Sequence, residues 1–189
     1  MPRLFTGLEI PPDVAEELSF YQGGLFGARW IDEDFYHITL RFIGDVDIGT
    51  ANLVYDELCR VSRDSFSVTL EGLTPFGGDR PRSLVASVRP SQPLTALQAD
   101  HERAVRRAGV PPETRKFMPH VTLARLRGVS PEGVADYLTM RGRPEAVTFE
   151  ASRFILYSSR DSVGGGPYVE EASFPLERVR QQMSARVAG

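Results

Sequence analysis

One cysteine, one tryptophan, one lysine and three histidines stand among 189 residues. A lone Cys59 excludes an internal disulfide framework and suits a reducing, cytoplasmic setting. Its place beside Leu58 and Val61 on an expected helix reads as a packing thiol. No uninterrupted apolar run of about 18 residues occurs, which excludes a helical membrane span. The opening MPRLFTGLEIPPDV meets Glu9 and two prolines before any long apolar stretch, so it does not read as a signal peptide. There is no GxSxG elbow for a serine nucleophile. Gly164-Gly165-Gly166 lacks the Lys-Ser/Thr that completes a phosphate-binding loop and reads as a turn. Low-complexity segments and long linkers are missing too. The 41% apolar and 25% charged content is that of an ordinary globular chain. At this length roughly 70% of the unfolded surface can be hidden. One domain over residues 1–189 is expected, with a polar, Arg-rich tail at about 177–189.

The formal net charge of −3 argues against a nonspecific nucleic-acid binder. Its distribution says more. Residues 1–60 hold four Arg against eleven Asp and Glu, a balance of −7. Residues 101–127 hold six Arg and Lys116 against Glu102 and Glu113, a balance of +5. Positive charge is gathered in one stretch, as an anionic ligand requires. Of 22 basic residues 21 are Arg, the side chain best shaped for bidentate capture of phosphate, although a general Arg bias also accounts for the composition.

Within and before that stretch lies a repeat: His37-Ile38-Thr39-Leu40 and, 83 residues on, His120-Val121-Thr122-Leu123. With ten Thr and seventeen Leu in the chain, two of three His sharing this pattern by accident has odds of roughly one in ten thousand. Successive side chains of a strand point to opposite faces. His37 and Thr39 therefore share one face, with Ile38 and Leu40 on the other, and the second motif divides in the same way.

The surrounding pattern reads as a loosely duplicated α+β unit. A strand over Leu4–Ile10 precedes a helix opened by Pro11-Pro12-Asp13, and the motif strand Tyr36–Ile43 precedes a helix over about Ile48–Val61. Phe66–Leu70 and Leu84–Val88 form a hairpin with a long tip. A helix from Pro93 to about Ala108, closed by Gly109, leads through Pro111-Pro112 to the second motif strand, Pro119–Leu126. Ser130-Pro131-Glu132 is a helix start with Ser as N-cap. Val147–Tyr157 and Tyr168–Leu176 read as a closing hairpin around Ser162–Gly166. The fold class is thus α+β: two pseudo-symmetric lobes of mostly antiparallel sheet, helices on the outer faces, and a groove between.

Two imidazoles across a groove, each with a hydroxyl two residues away, suit paired proton transfer, because a pKa near 6.5 lets one ring act as base and the other as acid. Each Thr hydroxyl lies about 6.8 Å along the strand from its His Cα, within reach of a tetrahedral anion held between the rings. A phosphodiester fits this arrangement: water must lose one proton and the leaving alkoxide must gain another. Zinc would want a third protein ligand, and a structural role for two matched His is the remaining alternative. Strict alternation puts Arg125 on the face opposite His120, so it reaches the site only if the strand ends or bulges near Ala124. Arg41 has the parity of His37 but lies about 13.6 Å along, where it could touch a neighbouring phosphate or simply be solvated. His101 falls at the edge of a helical apolar stripe, and packing is the favoured role for Trp30 and Phe117 over stacking on a base.

HITLRFIG and PHVTLARLRG resemble the paired HxTx signatures of the two-histidine (2H) phosphoesterases. With RLFTGLEIPPDV, the Trp30 segment and FMPHVTLAR, they look like the branch of RNA 2′,3′-cyclic phosphodiesterases also described as 2′-5′ RNA ligases. The resemblance covers nearly the whole chain. It implies a bilobal fold and opening of a 2′,3′-cyclic phosphate to a 2′-phosphate end without metal or organic cofactor. It makes His37 the proton donor and His120 the acceptor, with Thr39, Thr122 and Arg125 binding phosphate. RNA ends or nucleotides with a cyclic phosphate, tRNA fragments among them, become the expected partners of a cytoplasmic monomer. The reverse reaction, 2′-5′ ligation, and a non-catalytic RNA-end reader are the alternatives.

Overall fold

The computed structural model describes residues 3–159 and 166–177. Strand β1 (Arg3–Glu9) leads to helix α1 (Pro12–Ser19), the short β2 (Ala28–Trp30), one 3-10 turn (Glu33–Phe35) and β3 (His37–Asp45). After α2 (Ile48–Leu58) come β4 (Phe66–Phe76), β5 (Ser83–Val88), α3 (Gln92–Arg107) and β6 (His120–Leu126). Helix α4 (Pro131–Arg141) is followed by β7 (Val147–Ala151), β8 (Arg153–Ser159) and β9 (Tyr168–Pro175). Helix starts fall where side chains can satisfy free backbone amides. Asp47 accepts from the Thr50 amide at 2.9 Å and Ser130 from the Gly133 amide at 3.1 Å. A proline occupies the first turn of α1, α3 and α4, where its missing N–H costs nothing.

The strands form one sheet in the order β7-β4-β5-β6-β3-β1-β8-β9, with β2 added beside β6. Every strand pairing described is antiparallel. Read outward from the centre, the order is symmetric: β6 matches β3, β5 matches β1, β4 matches β8 and β7 matches β9. The two halves meet at a thin seam. β1 and β3 pair from Arg3↔Asp45 to Glu9↔His37, whereas β3 and β6 are joined by the single pair Ile38↔Val121. Where β3 departs, β2 takes its place against β6, with Trp30 opposite Ala124 and Arg29 opposite Arg125. The expected bilobal, largely antiparallel α+β architecture is therefore present, its lobes divided at this seam.

Helices cover one face. Ile38, Leu40, Val121 and Leu123 share a core with Val14 and Leu18 of α1, Val54 and Leu58 of α2, and Leu94, Leu97 and Val105 of α3. Val134 and Tyr137 of α4 close a smaller cluster over Leu84, Ala124 and Leu126. Burying one such aliphatic side chain stabilises the fold by about 1.5–3 kcal/mol, which holds the seam together from beneath. His101 of α3 lies fully within this core. Its Nδ1 is 2.8 Å from Thr6 Oγ1 on β1, and its ring meets Phe154 edge-on at 4.4 Å.

Three expectations need correction. Val147–Tyr157 is not one strand: it breaks at Ser152, β7 pairing with β4 and β8 with β1. Because one residue separates strands near opposite ends of the order, the sheet must curl until its two ends approach. The amide of Leu176 donates to the Ser152 carbonyl at 2.8 Å and that of Ser65 to Glu177 at 2.6 Å, tying those ends together. Cys59 is exposed rather than packed, since α2 ends one residue earlier and the apolar face stops with Leu58. Arg41 is the third and belongs with the site. Most of the expected Ser162–Gly166 turn, and all but Glu177 of the expected tail at 177–189, lie outside the described residues.

Candidate active site

The motif strands carry the same burial sequence from their histidines onward. His37 and Thr39 are half-buried around a buried Ile38. Leu40 and Arg41 are both buried, Phe42 is exposed, and Ile43 is buried. His120, Thr122, Leu123, Ala124, Arg125 and Leu126 repeat this pattern around Val121. Two buried residues in succession break the alternation of a regular strand, and the register shows why. On β1, Gly7 faces Thr39 and Thr6 faces Arg41, leaving Leu40 unopposed. On β5, Val85 faces Thr122 and Leu84 faces Ala124, leaving Leu123 unopposed. Each motif strand therefore has a β-bulge three residues after its His, and a bulge reverses the parity of all that follows.

The bulge settles the two arginines in opposite ways. Arg125 returns to the face of His120 and Thr122, and it lines a cleft of about 200 Å³ with His37 and Thr39. Arg41, expected on the face of His37, is turned towards the helices and is almost fully buried. Its Nε pairs with Glu102, and its terminal nitrogens donate to the carbonyls of Phe42 and Pro111. It ties β3 to α3 and the following loop, and it has no place in the cleft.

At the seam β3 and β6 pair only at Ile38↔Val121; an antiparallel register continued from there would set His37 opposite Thr122 and Thr39 opposite His120. The two His would then be diagonal neighbours, roughly 7–8 Å apart at the backbone and wider where the strands part. That is room for one tetrahedral group between the rings. The same hydrogen bond orients each ring: His37 Nδ1 lies 2.8 Å from the Phe35 carbonyl, and His120 Nδ1 lies 2.7 Å from that of Met118. A carbonyl oxygen only accepts, so Nδ1 carries the proton in each neutral ring, leaving Nε2 to exchange a proton with a ligand.

The surroundings differ. His37 is enclosed by Phe5 at 4.9 Å, Tyr168 at 5.1 Å and Tyr157 at 5.7 Å between ring centres. Beneath it Gly7 packs so closely that a Cβ there would lie 2.9 Å from the Ile38 carbonyl oxygen. His120 meets one ring, Phe76, at 4.7 Å. Burial accordingly lowers the His37 pKa to about 4, with the Phe35 carbonyl opposing and His120 and Arg125 adding to the drop. Burial also lowers His120, with the Met118 carbonyl opposing and Arg125 reinforcing. Arg125 thus disfavours a positive charge on both rings, as a nearby cation does.

All five sequence-identified residues, His37, Thr39, His120, Thr122 and Arg125, fall on the face that bears the cleft. Trp30 and Phe117 pack against the core, as expected. Phe5, Gly7, Phe42, Tyr157, Tyr168 and Arg3 had not been identified as part of the site. The parity of Phe5 and Gly7 along the first strand was legible, but not that this strand begins at Arg3 or lies beside His37. Nothing local marks Tyr168. No group of three or more His, Cys, Asp or Glu able to hold a metal ion is found among the described residues. No helix among them is long and apolar enough to cross a membrane.

A symmetric sheet whose central strands carry matched His-x-Thr pairs defines a two-lobed, two-histidine phosphoesterase. The chain belongs to the LigT-like phosphoesterase family, whose model matches residues 8–86 and again 85–168, one match for each half. An RNA 2′,3′-cyclic phosphodiesterase of Geobacillus stearothermophilus is 34% identical over 183 residues, covering 91% of this chain and 56% of that protein. One from Aeropyrum pernix is 36% identical over 102 residues, covering 53% and 58%. The chain thus spans little more than half the length of these two relatives. A Bacillus subtilis protein of the same name is 29% identical with 86% of both chains covered. Among solved structures, Escherichia coli LigT complexed with 3′-AMP superposes with a TM-score of 0.74 at 22% identity, covering 93% of this chain and 99% of LigT. A crystal structure described as a phosphoesterase gives 0.76 at 22%, covering 94% and 99%.

Proposed function

We propose that this chain hydrolyses RNA 2′,3′-cyclic phosphodiester ends to 2′-phosphate ends by paired-histidine acid–base catalysis, without a metal ion or organic cofactor. The observation that carries the proposal is the juxtaposition at the seam: Ile38 pairs with Val121 between the two His-x-Thr motifs, and each His ring is held through Nδ1 by a backbone carbonyl two residues back, which leaves its Nε2 to a ligand. Names shared by relatives across most of this chain support the substrate class.

The cyclic phosphate binds with its non-bridging oxygens toward the Thr39 and Thr122 hydroxyls and Arg125. Donors already fixed at the charge that develops stabilise the transition state more than the ground state. His120 Nε2 takes the proton of water as its oxygen bonds to phosphorus. His37 gives its Nε2 proton to the 3′-oxygen as the P–O3′ bond breaks, leaving the phosphate on O2′. The family resemblance assigns these directions, and the depressed pKa of His37 suits them. An imidazolium that holds its proton weakly is the stronger acid for an alkoxide leaving group. The bound phosphodiester's negative charge raises both pKa values and restores the proton that the empty site disfavours.

The test is to incubate an oligoribonucleotide ending in a 2′,3′-cyclic phosphate with the protein in EDTA and to identify the product. A 2′-phosphate end, with the rate falling about 10²–10⁴-fold in His37→Ala and in His120→Ala, supports the proposal. Full activity of either variant, or a strict metal requirement, overturns it.

A further inference from the structure

The halves of the sheet match strand for strand, with one exception. Among the described residues, β2 has no counterpart in the first half. It is three residues long, and two of them serve the core: Ala28 and Trp30 pack against the cluster beneath α4. Arg29, between them, is exposed. β2 occupies the fork where β3 leaves β6, and the Ile31 amide pins it there by donating to the carbonyl of the bulge residue Leu123 at 2.8 Å. The unmatched strand thus adds one side chain to the groove between the lobes.

Register fixes where that side chain goes. Arg29 is directly opposite Arg125, and residues opposite each other in an antiparallel pair share a face. Arg125 lines the cleft with His37 and Thr39, so Arg29 stands beside it on the cleft side. Their Cα atoms lie roughly 4.5–5.5 Å apart. Like charges set directly opposite cost stability, and a polyanion laid across both reverses the sign. Arg29 also interacts within the protein, but a guanidinium has five N–H donors and can keep that interaction while it binds phosphate. In the reading above, Arg125 takes the cyclic phosphate. The next anion of an RNA chain is the phosphodiester on the 5′ side of the same ribose, one sugar away. We propose that Arg29 binds this penultimate phosphate, so that the site selects cyclic ends of RNA chains over cyclic mononucleotides. Arg29 touches no reacting atom; it sets which substrate is held. A guanidinium on a phosphodiester reads no base, so the preference holds for any sequence.

This rests on the cyclic phosphodiesterase reading, and the experiment separates the two. Steady-state hydrolysis is compared for three esters: adenosine 2′,3′-cyclic monophosphate, the diadenosine dinucleotide with a 2′,3′-cyclic end, and that dinucleotide with an uncharged methylphosphonate as its internal linkage. Wild type should show a KM about 5- to 30-fold lower for the charged dinucleotide than for the mononucleotide, and the methylphosphonate should forfeit that advantage. In Arg29→Gln the advantage should shrink toward none. Arg29→Lys, which keeps a charge, should retain part of it, with kcat similar throughout. Equal KM for the charged and uncharged dinucleotides in wild type, or an advantage that survives Arg29→Gln, overturns the subsite and leaves the phosphodiesterase reading intact. The first comparison needs no variant, so it decides the matter even if Arg29→Gln fails to fold. Failure of the wild type to open any of the three overturns both.

Discussion

Ile38 pairs with Val121 across the seam between β3 and β6, the only ladder contact joining the motif strands. Neither residue does chemistry. Their side chains point into the core, and the pair holds the two His-x-Thr motifs side by side. One aliphatic pair on the buried face thus fixes the relation of four polar groups on the open one. The seam leaves the lobes otherwise unpaired there, which keeps space for a ligand between them.

The pKa values of the site predict an acid-shifted profile. In the free protein both imidazoles are depressed, His37 to about 4. The dependence of kcat/KM on pH reports the free protein's groups. It should be a bell lying below pH 6.5, with its alkaline limb falling as the donor's proton is lost. A bound phosphate anion favours the protonated rings, so both limbs of kcat should move to higher pH. A kcat/KM profile centred at pH 8 would contradict the desolvation described for His37.

Arg125 and Arg41 should separate activity from stability. Arg125→Gln removes charge-assisted hydrogen bonds to phosphate, so kcat/KM should fall about 10- to 100-fold with little change in unfolding. Arg41→Met leaves Glu102 without its buried partner. It should cost about 3 kcal/mol in urea unfolding while the folded protein retains kcat, the low end of the usual range because Glu102 keeps a fifth of its side-chain surface. If Arg41→Met folds as well as wild type and loses activity instead, the β-bulge account of β3 is wrong.

His101 makes the fold acid-sensitive. Burial between α3 and β1 lowers its pKa to about 3, while the unfolded chain holds it near 6.5. Between those values the unfolded state binds the extra proton. Stability from this group is complete above about pH 6.5 and is lost as pH falls toward 3, by at most about 1.4 kcal/mol per pH unit. At pH 5, unfolding of the wild type should take up about one proton more than unfolding of His101→Leu. Equal uptake would show that His101 is already charged in the fold.

Much of the site was legible because its signals are local. The His-x-Thr spacing needs only the two-residue period of a strand, and the accompanying Ile, Leu and Val mark the buried face. The helix start at Ser130 is equally local, since a cap reaches three residues along its own chain. The division of Val147–Tyr157 between two distant partners was not legible, because both pieces alternate alike and only the curl of the sheet decides which neighbour each finds.

The sequence by itself determined which residues could share a face: two His, two Thr and, five positions past the second His, an Arg of the wrong parity. Only the tertiary structure decided that Arg125 comes forward while Arg41 is drawn into the core. The extra residue that flips them is forced by the partners on β1 and β5, which lie more than thirty positions away in the chain. Pairing between distant strands is a property of the assembled sheet, and no run of neighbouring residues contains it.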